Sequence, residues 1–402
     1  MSNPGRGRRA KGDGGAGGGD SPDQDPAWVS RIRERLLDWY AGARRPLPWR
    51  ADRDPYRVLV SEMMLVQTTV AAVVPYFERF LRRFPDVRAL ADADEADVLK
   101  AWEGLGYYRR ARQLHAAARA VVERHGGRVP DDPEALRELP GVGRYIAGAV
   151  LSFAFDRPAP ILEANTQRVV ARWLAWPGDL KSPATQARLW EAAGRLVPET
   201  RAGDFNQAFM ELGALVCTPR SPRCLVCPVS ADCLARARGK QDELPVVAPR
   251  PAPLEVVEAC AVVRHGGRLL LLQRGAGGLW EGFWEFPTVH VSGADPAGRR
   301  ESQGNETDVA KALSRLTGLD LEVGPSSRTL RYVVTKHKVR LEVHEAEARS
   351  DAAFTPPGYV SAAWVAPETL GQYLLGTPGR RISGGLGGGG GGRGKGRAGG
   401  PA

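Results

Sequence analysis

The chain has 402 residues, a hydrophobic content of 43% and a formal net charge of +10 at pH 7. This length predicts two or three domains, and the hydrophobic content is sufficient for ordinary buried cores. No apolar run reaches the roughly 20 residues of a membrane span, and Met1 to Asp25 has no apolar signal core, so we expect a cytoplasmic protein without membrane contact. The basic charge favours a polyanionic partner.

The first segment in chain order, residues 1–25, is polar and glycine-rich, and we expect it to be disordered because it has no periodic apolar positions. Residues 26–239 carry apolar side chains at helical spacing, and Pro and Gly punctuate short connections. This region is larger than one small bundle, so we predict two helical lobes with a cleft between them.

Residues 240–254 form a predicted linker, which its prolines make stiff and extended. The periodicity of the chain after the linker is typical of short strands and one helix, at 256–263, 269–273, 309–316, 331–334 and 339–343. We therefore expect a small α/β domain over residues 255–375 and a second disordered, glycine-rich tail over residues 376–402.

Four of the 5 cysteines are separated by six, two and five residues: Cys217, Cys224, Cys227 and Cys233. In a reducing compartment such a run indicates a metal site more than a disulfide framework. The spacing alone favours iron–sulfur and zinc equally, because both accept four thiolates. Unliganded cysteines are the remaining alternative.

A second motif, LPGVGR, covers residues 139–144 and precedes an apolar stretch. Two glycines around one apolar residue allow a tight turn between helices, with backbone N–H groups exposed at the next helix start. Such a turn binds a phosphate without reading its base, although a purely structural turn is the alternative. The residues expected to contact DNA here are Pro140, Gly141, Val142 and Gly143.

Together these motifs resemble the iron–sulfur loop and the helix–hairpin–helix element of the endonuclease III and MutY glycosylases. The resemblance covers most of residues 28–370 and implies a [4Fe-4S] cluster on the four cysteines. It also implies a mainly α, two-lobed helix–hairpin–helix glycosylase domain over residues 26–239 and a C-terminal α/β Nudix-like domain. The implied partner is duplex DNA containing an adenine mispair, bound by a monomer that associates with the nucleoid through DNA.

Two acidic residues match the family's catalytic positions. Glu62 lies in an apolar helical stretch that resembles the MutY catalytic helix, and burial would raise its pKa and keep it protonated for transfer to adenine. Glu163 stands where the family usually has Asp-Gly-Asn, and its charge would stabilise the cationic sugar, with Asn165 as the supporting residue. The structural alternatives are a salt bridge or solvated helix face for Glu62 and a helix cap for Glu163.

The segment from Arg45 to Arg50 resembles the MutY segment that lines the adenine pocket. An aromatic and an aliphatic wall with polar groups at the edges suits an extruded purine. The residues implied to bind the substrate are Arg45, Leu47, Trp49, Arg50, Gln67 and Gln207, with Gln67 wedging into the duplex. Tyr107 matches a tyrosine pair that stacks on bases or fills the core, and these two interpretations stay equally open.

Tyr145 follows the LPGVGR run at the position where lyase-type relatives have a lysine. A phenol cannot form the imine of a Schiff-base mechanism, so we predict a monofunctional glycosylase in which water completes the reaction. In the C-terminal domain, Lys336 and His337 fall where the family recognises 8-oxoguanine opposite adenine. The Nudix hydrolase metal motif is not evident, so we expect recognition without hydrolysis.

The resemblance therefore implies an adenine DNA glycosylase of base excision repair that removes adenine mispaired with 8-oxoguanine or guanine. One alternative is a bifunctional endonuclease III-like glycosylase/lyase, which Tyr145 disfavours. The other is a DNA-binding homologue whose catalysis is impaired by the replacement at Glu163.

Overall fold

The computed structural model describes residues 21–249, 251–293, 308–352 and 355–386. The chain divides into two compact units. The first comprises the chain up to Leu59, Pro130–Glu138 and Val142–Ala248. The second comprises Val60–Val129, Leu139–Gly141 and the chain from Pro249 onward.

The helices of the described residues are α1 Pro26–Ala43, α2 Pro55–Leu65, α3 Val70–Arg83, α4 Val87–Ala91, α5 Glu95–Trp102, α6 Arg109–His125, α7 Pro133–Glu138, α8 Arg144–Phe155, α9 Ala164–Trp173, α10 Pro183–Leu196, α11 Ala202–Leu215, α12 Leu234–Ala237, α13 Val309–Thr317 and α14 Thr377–Ser383. The strands are β1 Leu254–His265, β2 Arg268–Arg274, β3 Trp284–Glu285, β4 Thr288–Gly293, β5 Leu321–Val334, β6 His337–Ala348 and β7 Tyr359–Val365. The helical region and the later α/β region therefore follow the order that the periodicity predicts.

Local sequence signals set several helix starts. Asp25 caps α1 by accepting from the backbone N–H of Ala27, and Pro26 occupies the first helical position, where its missing N–H costs nothing. In α3 the apolar residues Val73, Phe77 and Phe80 recur at helical spacing and are buried. The burial of this stripe, more than intrinsic propensity, stabilises the helix.

The core of the first unit lies among α1, α9, α10 and α11. Trp173 of α9 stacks on Phe209 of α11 with ring centroids 5.2 Å apart. Three of the clustered cysteines, Cys217, Cys227 and Cys233, pack against this same core. The cysteine loop therefore packs against the hydrophobic core of the unit.

A mixed sheet forms the centre of the C-terminal region, with strand order β3-β2-β1-β6-β5 and with β4 paired to β1 and β7 to β2. β1 and β6 run parallel, whereas β5 and β6 form an antiparallel hairpin. Side chains alternate between the two faces, so Cys260 and Val262 enter one apolar cluster and Ala261 and Val263 the other.

Helices α5 and α6 of the second unit contact the region of the C-terminal sheet. Lys100 donates to the backbone carbonyl of Tyr373 at 3.1 Å, and Arg112 donates to that of Glu281 at 2.7 Å. Tyr108 packs edge-on against Phe283 with centroids 4.4 Å apart. These contacts place residues 60–129 and the C-terminal sheet in one compact unit.

Both predicted tails extend too far into the folded chain. Asp23, assigned to the N-terminal tail 1–25, is 2% exposed within a 3₁₀ turn and pairs with Arg188 and Arg195. Residues 377–383, assigned to the C-terminal tail 376–402, form α14, which buries Ile382 against the sheet cluster. In both cases distant partners order a short polar or glycine-rich segment that has no periodic signal of its own. Residues 1–20 and 387–402 of the predicted tails lie outside the described residues.

Across the described part of the chain, no helix combines the length and hydropathy required to span a membrane.

Candidate functional site

Glu62, the predicted acid, lies in α2 and is 2% exposed. Ser61, Met63 and Met64, its neighbours in the helix, are at most 1% exposed. The Glu62 side chain is therefore buried on a mainly apolar helix, as the apolar stretch around it predicts.

Glu163, the predicted carboxylate, caps the N-terminus of α9. Its Oε2 accepts from the backbone N–H of Asn165 at 2.8 Å and its Oε1 from that of Thr166 at 3.0 Å. The Thr166 hydroxyl accepts in return from the Glu163 backbone N–H at 2.8 Å, which completes a capping box. The capping role that the sequence left as an alternative is therefore present in the structure.

Electrostatics at Glu163 pull in two directions. Burial raises the pKa of this carboxyl above its usual value and is the largest effect, while the N–H groups of Asn165 and Thr166 and the Arg168 guanidinium lower it. A carboxylate at a helix N-terminus also faces the positive end of the helix dipole. The arrangement holds a partly desolvated negative charge in a fixed orientation, which is the kind of group that stabilises a developing cation.

Asn165, the predicted supporting residue, is held by Arg168. Arg168 Nη2 donates to Asn165 Oδ1 at 2.9 Å, and the same guanidinium donates to the carbonyls of Gly213 and Cys217 at 2.8 and 2.7 Å. Gly213 lies so close that an added Cβ would stand 2.6 Å from Asn165 Cβ. Arg168 was not singled out from the sequence, although an arginine three residues after Asn165 on the same helix is the available signal.

Arg45 and Arg50, predicted to bind the base, converge on Glu211. Arg45 donates to both carboxylate oxygens at 2.7 and 2.8 Å, and Arg50 Nη1 lies 2.8 Å from Oε1. Glu211 is fully buried in α11. Sequence reasoning missed Glu211, and the only signal was a lone acid in an otherwise apolar helical run.

The other predicted pocket residues lie near this ion-pair network. Trp49 is 6% exposed within the turn Pro48–Arg50, and Leu47 is half-buried just before it. Gln207, on α11, accepts a hydrogen bond from the Tyr40 hydroxyl at 3.1 Å. Arg45 and Arg50 thus bind Glu211 of α11, and Gln207 lies one turn earlier on the same helix, bonded to Tyr40.

Gln67 and Tyr107 are both exposed and both have left-handed backbones, with φ of 58° and 52°. Such values are uncommon for residues other than glycine. Gln67 follows the end of α2, and Tyr107 precedes α6. The open choice between a stacking and a core role for Tyr107 is answered in part, since its side chain is not in the core.

The LPGVGR run connects α7 to α8. Gly141 has a φ of +77°, and an added Cβ would meet Gln113 Cβ at 2.7 Å and Met63 Cε at 2.9 Å, so only glycine fits there. Val142 is buried, whereas Gly143 is exposed at the N-cap of α8. Tyr145, in the first turn of α8, directs its hydroxyl to Met210 Sδ at 3.9 Å.

All four clustered cysteines are partly buried free thiols. Burial is the main cause that raises the pKa values of Cys224, Cys227 and Cys233, to about 12 at Cys227, and charge interaction with Cys217 adds to each rise. Arg172 Nη1 donates to Cys217 Sγ at 3.2 Å. Among the described residues no three Cys, His, Asp or Glu side chains form a group suited to a single metal ion. Four cysteines in one short loop, beside the buried guanidinium of Arg172, suit a negatively charged iron–sulfur cluster held by thiolates.

In the C-terminal domain, the turn between β5 and β6 presents Thr335 and Lys336 to solvent. His337 is 7% exposed, and its Nδ1 lies 3.3 Å from the Thr335 hydroxyl. Of the two residues predicted to contact DNA here, only Lys336 is on the surface, while His337 supports the turn from within.

Three family profiles match the chain. Residues 60–195 match the HhH-GPD superfamily of base excision DNA repair proteins, residues 217–233 the iron–sulfur binding domain of endonuclease III, and residues 259–383 the NUDIX domain. The match over 217–233 spans the four cysteines and identifies their run as an iron–sulfur loop, which favours the [4Fe-4S] prediction over zinc.

Curated relatives extend the similarity over most of the chain. A mouse protein named adenine DNA glycosylase is 34% identical over 411 residues, which cover 89% of this chain and 78% of the mouse protein. One from Mycolicibacterium smegmatis is 45% identical, covering 51% of this chain and 69% of its own length. One from the rat is 39% identical and covers 69% of this chain, and this chain spans 63% of the rat protein. Among solved structures, a thermostable thymine-DNA glycosylase is similar over 53% of this chain and 98% of its own, with 31% identity and a TM-score of 0.47.

Proposed function

Since the chain belongs to the family of adenine DNA glycosylases, within the HhH-GPD superfamily, we propose that it removes adenine mispaired with 8-oxoguanine or guanine by hydrolysing the N-glycosidic bond. The observation that carries this proposal is the burial of Glu62, which is 2% exposed in an apolar helix at the position of the family's acid. DNA is the partner, and the mispair is the substrate.

In the proposed mechanism Glu62 donates a proton to the extruded adenine. Protonation is required because an adenine anion is a poor leaving group, and proton transfer by a positioned acid contributes roughly 10²–10⁴-fold to such a rate. The purine would lie against Trp49 and Leu47, with Gln207 and the arginines on Glu211 along its polar edges.

Glu163 stabilises the positive charge that develops on the sugar as the bond to adenine breaks. The hydrogen bonds from Asn165 and Thr166 hold its carboxylate in place before the reaction, so no reorganisation is needed in the transition state. Water then adds to the sugar carbon and its proton goes to the Glu62 carboxylate, which leaves an abasic site and restores the acid. Tyr145 offers no amine for an imine, which supports a reaction without strand cleavage.

Residues that take no part in bond cleavage would bind the DNA backbone. The exposed N-terminus of α8 at Gly143 suits a phosphate, and the exposed Arg220 and Arg223 of the cysteine loop suit the backbone. Cys217, Cys224, Cys227 and Cys233 would hold the cluster, which when bound clamps this loop. On the opposite strand, the turn that exposes Lys336, with His337 supporting it from within, would recognise 8-oxoguanine.

A single-turnover assay tests the proposal with duplexes that pair adenine with 8-oxoguanine, guanine or cytosine. We expect alkali-labile abasic product from the first two duplexes, little from the third, and no covalent complex on borohydride reduction. E62Q should bind the duplex without excising adenine, while E123Q, which removes an exposed carboxylate of α6, should retain activity.

The alternatives predict other results. Efficient borohydride trapping would indicate a glycosylase/lyase. Binding of the duplexes without excision by the wild-type protein would indicate a DNA-binding homologue. Excision by E62Q would remove Glu62 from the role of acid.

A further inference from the structure

Arg110, in the first turn of α6, is 8% exposed and gathers the end of α2 around its guanidinium. Its Nη1 donates to the backbone carbonyls of Met63, Met64 and Val66, at 3.0 Å and 2.7 Å for the first two. These are carbonyls at the C-terminal end of a helix, where intrahelical partners are missing and the dipole favours a cation. Arg110 therefore acts as a side-chain cap on α2.

The same guanidinium also contacts the turn that follows α2 and the turn that precedes α6. Nη2 donates to the Thr68 hydroxyl at 3.1 Å, directly after Gln67, and to the Gly106 carbonyl at 3.4 Å, directly before Tyr107. The Tyr107 ring lies over the guanidinium at 4.9 Å, and the Trp102 ring at 5.7 Å. One side chain thus contacts the residues on both sides of Gln67, and also Gly106 and the ring of Tyr107.

Both turns carry an exposed side chain on a strained backbone. Gln67 and Tyr107 have φ of 58° and 52°, and the Tyr107 side chain is 56% exposed. Left-handed backbones at non-glycine residues persist only where the surroundings hold them, and they concentrate at functional sites. Arg110 contacts both chain neighbours of Gln67 and the ring of Tyr107.

We propose that Arg110 is a positioning residue that fixes Gln67 and Tyr107 as one rigid wedge, which opens the duplex and extrudes the base. This inference rests on the proposed function and adds a residue that touches neither the base nor the sugar. Burial of the Arg110 cation is unfavourable, since it lowers the pKa of the guanidinium to about 10. A charge that is buried at such a free-energy cost supports a specific role for this residue.

The geometry requires a guanidinium. Four carbonyls, a hydroxyl and an aromatic face match a planar fork with several fixed donors. A lysine ammonium supplies three donors from one point and cannot reach all these acceptors at once. R110K therefore keeps the charge and loses the coupling.

The test compares two duplexes with the same adenine mispair. In the first, adenine is flanked by paired bases, and in the second by mismatches, so that it is already unstacked and extrusion costs less. We expect R110K to lower the single-turnover rate on the first duplex on the order of 10–100-fold, as for a misplaced positioning group. On the second duplex the loss should be at most about 3-fold, and the fluorescence rise of 2-aminopurine on extrusion should fall only in the first.

For each variant, the rates on the two duplexes are measured with the same protein preparation. A fraction of inactive protein therefore affects both rates equally and does not change their ratio. R109K, at an exposed arginine beside Arg110, is the matched control and should leave the ratio unchanged. In a double-mutant cycle the losses from R110K and from Y107A should not add, because one acts through the other. If R110K does not fold, T68V removes one acceptor of the network and should shift the ratio in the same direction.

Equal losses on the two duplexes, or additive losses in the cycle, would overturn the positioning role while adenine excision by the wild-type protein stands. A wild-type protein that excises adenine from neither duplex would instead overturn the proposed function.

Discussion

Arg168 donates through Nε to the backbone carbonyl of Cys217 over 2.7 Å, and so links the helix that begins at the proposed catalytic Glu163 to the first cysteine of the iron–sulfur loop. The same guanidinium holds Asn165 Oδ1. The orientation of a proposed active-site residue and the seat of the cysteine loop therefore depend on one side chain, which is 7% exposed.

Replacing Arg168 by glutamine should weaken both ends of this link. The carbonyls of Gly213 and Cys217 would lose their donor, at a cost of about 1–3 kcal/mol for each buried acceptor left unpaired. We expect a lower free energy of unfolding and earlier loss of the visible absorbance of the cluster, both measured in urea. R223Q, at an exposed arginine of the loop, is the control and should change neither measurement. If R168Q unfolds and loses its cluster at the same urea concentration as the wild-type protein, Arg168 does not stabilise the loop.

The pH dependence of excision should report Glu163. Because burial raises the pKa of this carboxyl above the usual 4.5, the ionised form proposed to stabilise the sugar is lost at a higher pH than for an ordinary glutamate. The same shift means that the favourable contribution of the protonated form to folding is present below the ordinary pKa and is lost as pH rises through the raised one. Single-turnover rates from pH 4 upward should show an acid limb displaced above the ordinary glutamate pKa.

E163Q and E163D sharpen this measurement. E163Q keeps the side-chain length and removes the charge, so excision should fall on the order of 10²-fold or more. E163D keeps the charge and a good capping group, so it should retain activity with an acid limb at lower pH. An acid limb that does not move in E163D would assign it to another group.

The buried carboxylate of Glu211 should stabilise the folded protein by pairing with Arg45 and Arg50. E211Q removes the charge shared by Arg45 and Arg50 from a fully buried position and should lower the free energy of unfolding on the order of 3 kcal/mol. Chemical denaturation gives this value. E191Q, which breaks the exposed ion pair with Arg195, is the control and should cost less than about 1 kcal/mol. Equal effects of the two variants would contradict a structural role for the buried carboxylate.

Gly141 should tolerate no side chain. In G141A the new Cβ would overlap Gln113 and Met63 at a left-handed backbone, so we expect lower thermal stability and weaker binding to duplex DNA. G42A is the matched control, because Gly42 lies in α1 and an added Cβ meets nothing within 4 Å, so alanine should be neutral or slightly stabilising. Normal stability of G141A would mean that the turn can rearrange.

Local patterns explain how much of this architecture the sequence predicts. The apolar spacing in Val58–Val66 predicts a helix, and α2 forms there with Glu62 buried, because a helix with an apolar face must pack it. The strands after the linker follow from alternation in the same way. The parallel pairing of β1 with β6 is absent from the pattern, since the two strands are separated by more than seventy residues and pairing depends on the completed sheet.

The sequence by itself determined the residue types of the site: a lone acid in an apolar helix, four cysteines at fixed spacing, and two glycines in a turn. These are properties of neighbours along the chain, and short-range sterics and chemistry suffice to interpret them. Only the tertiary structure decided that Arg168 holds Asn165, that Glu211 gathers two arginines, and that Arg110 supports Gln67 and Tyr107. Buried charges must find partners wherever the fold brings them, and Arg45 lies 166 residues away from Glu211 in the chain.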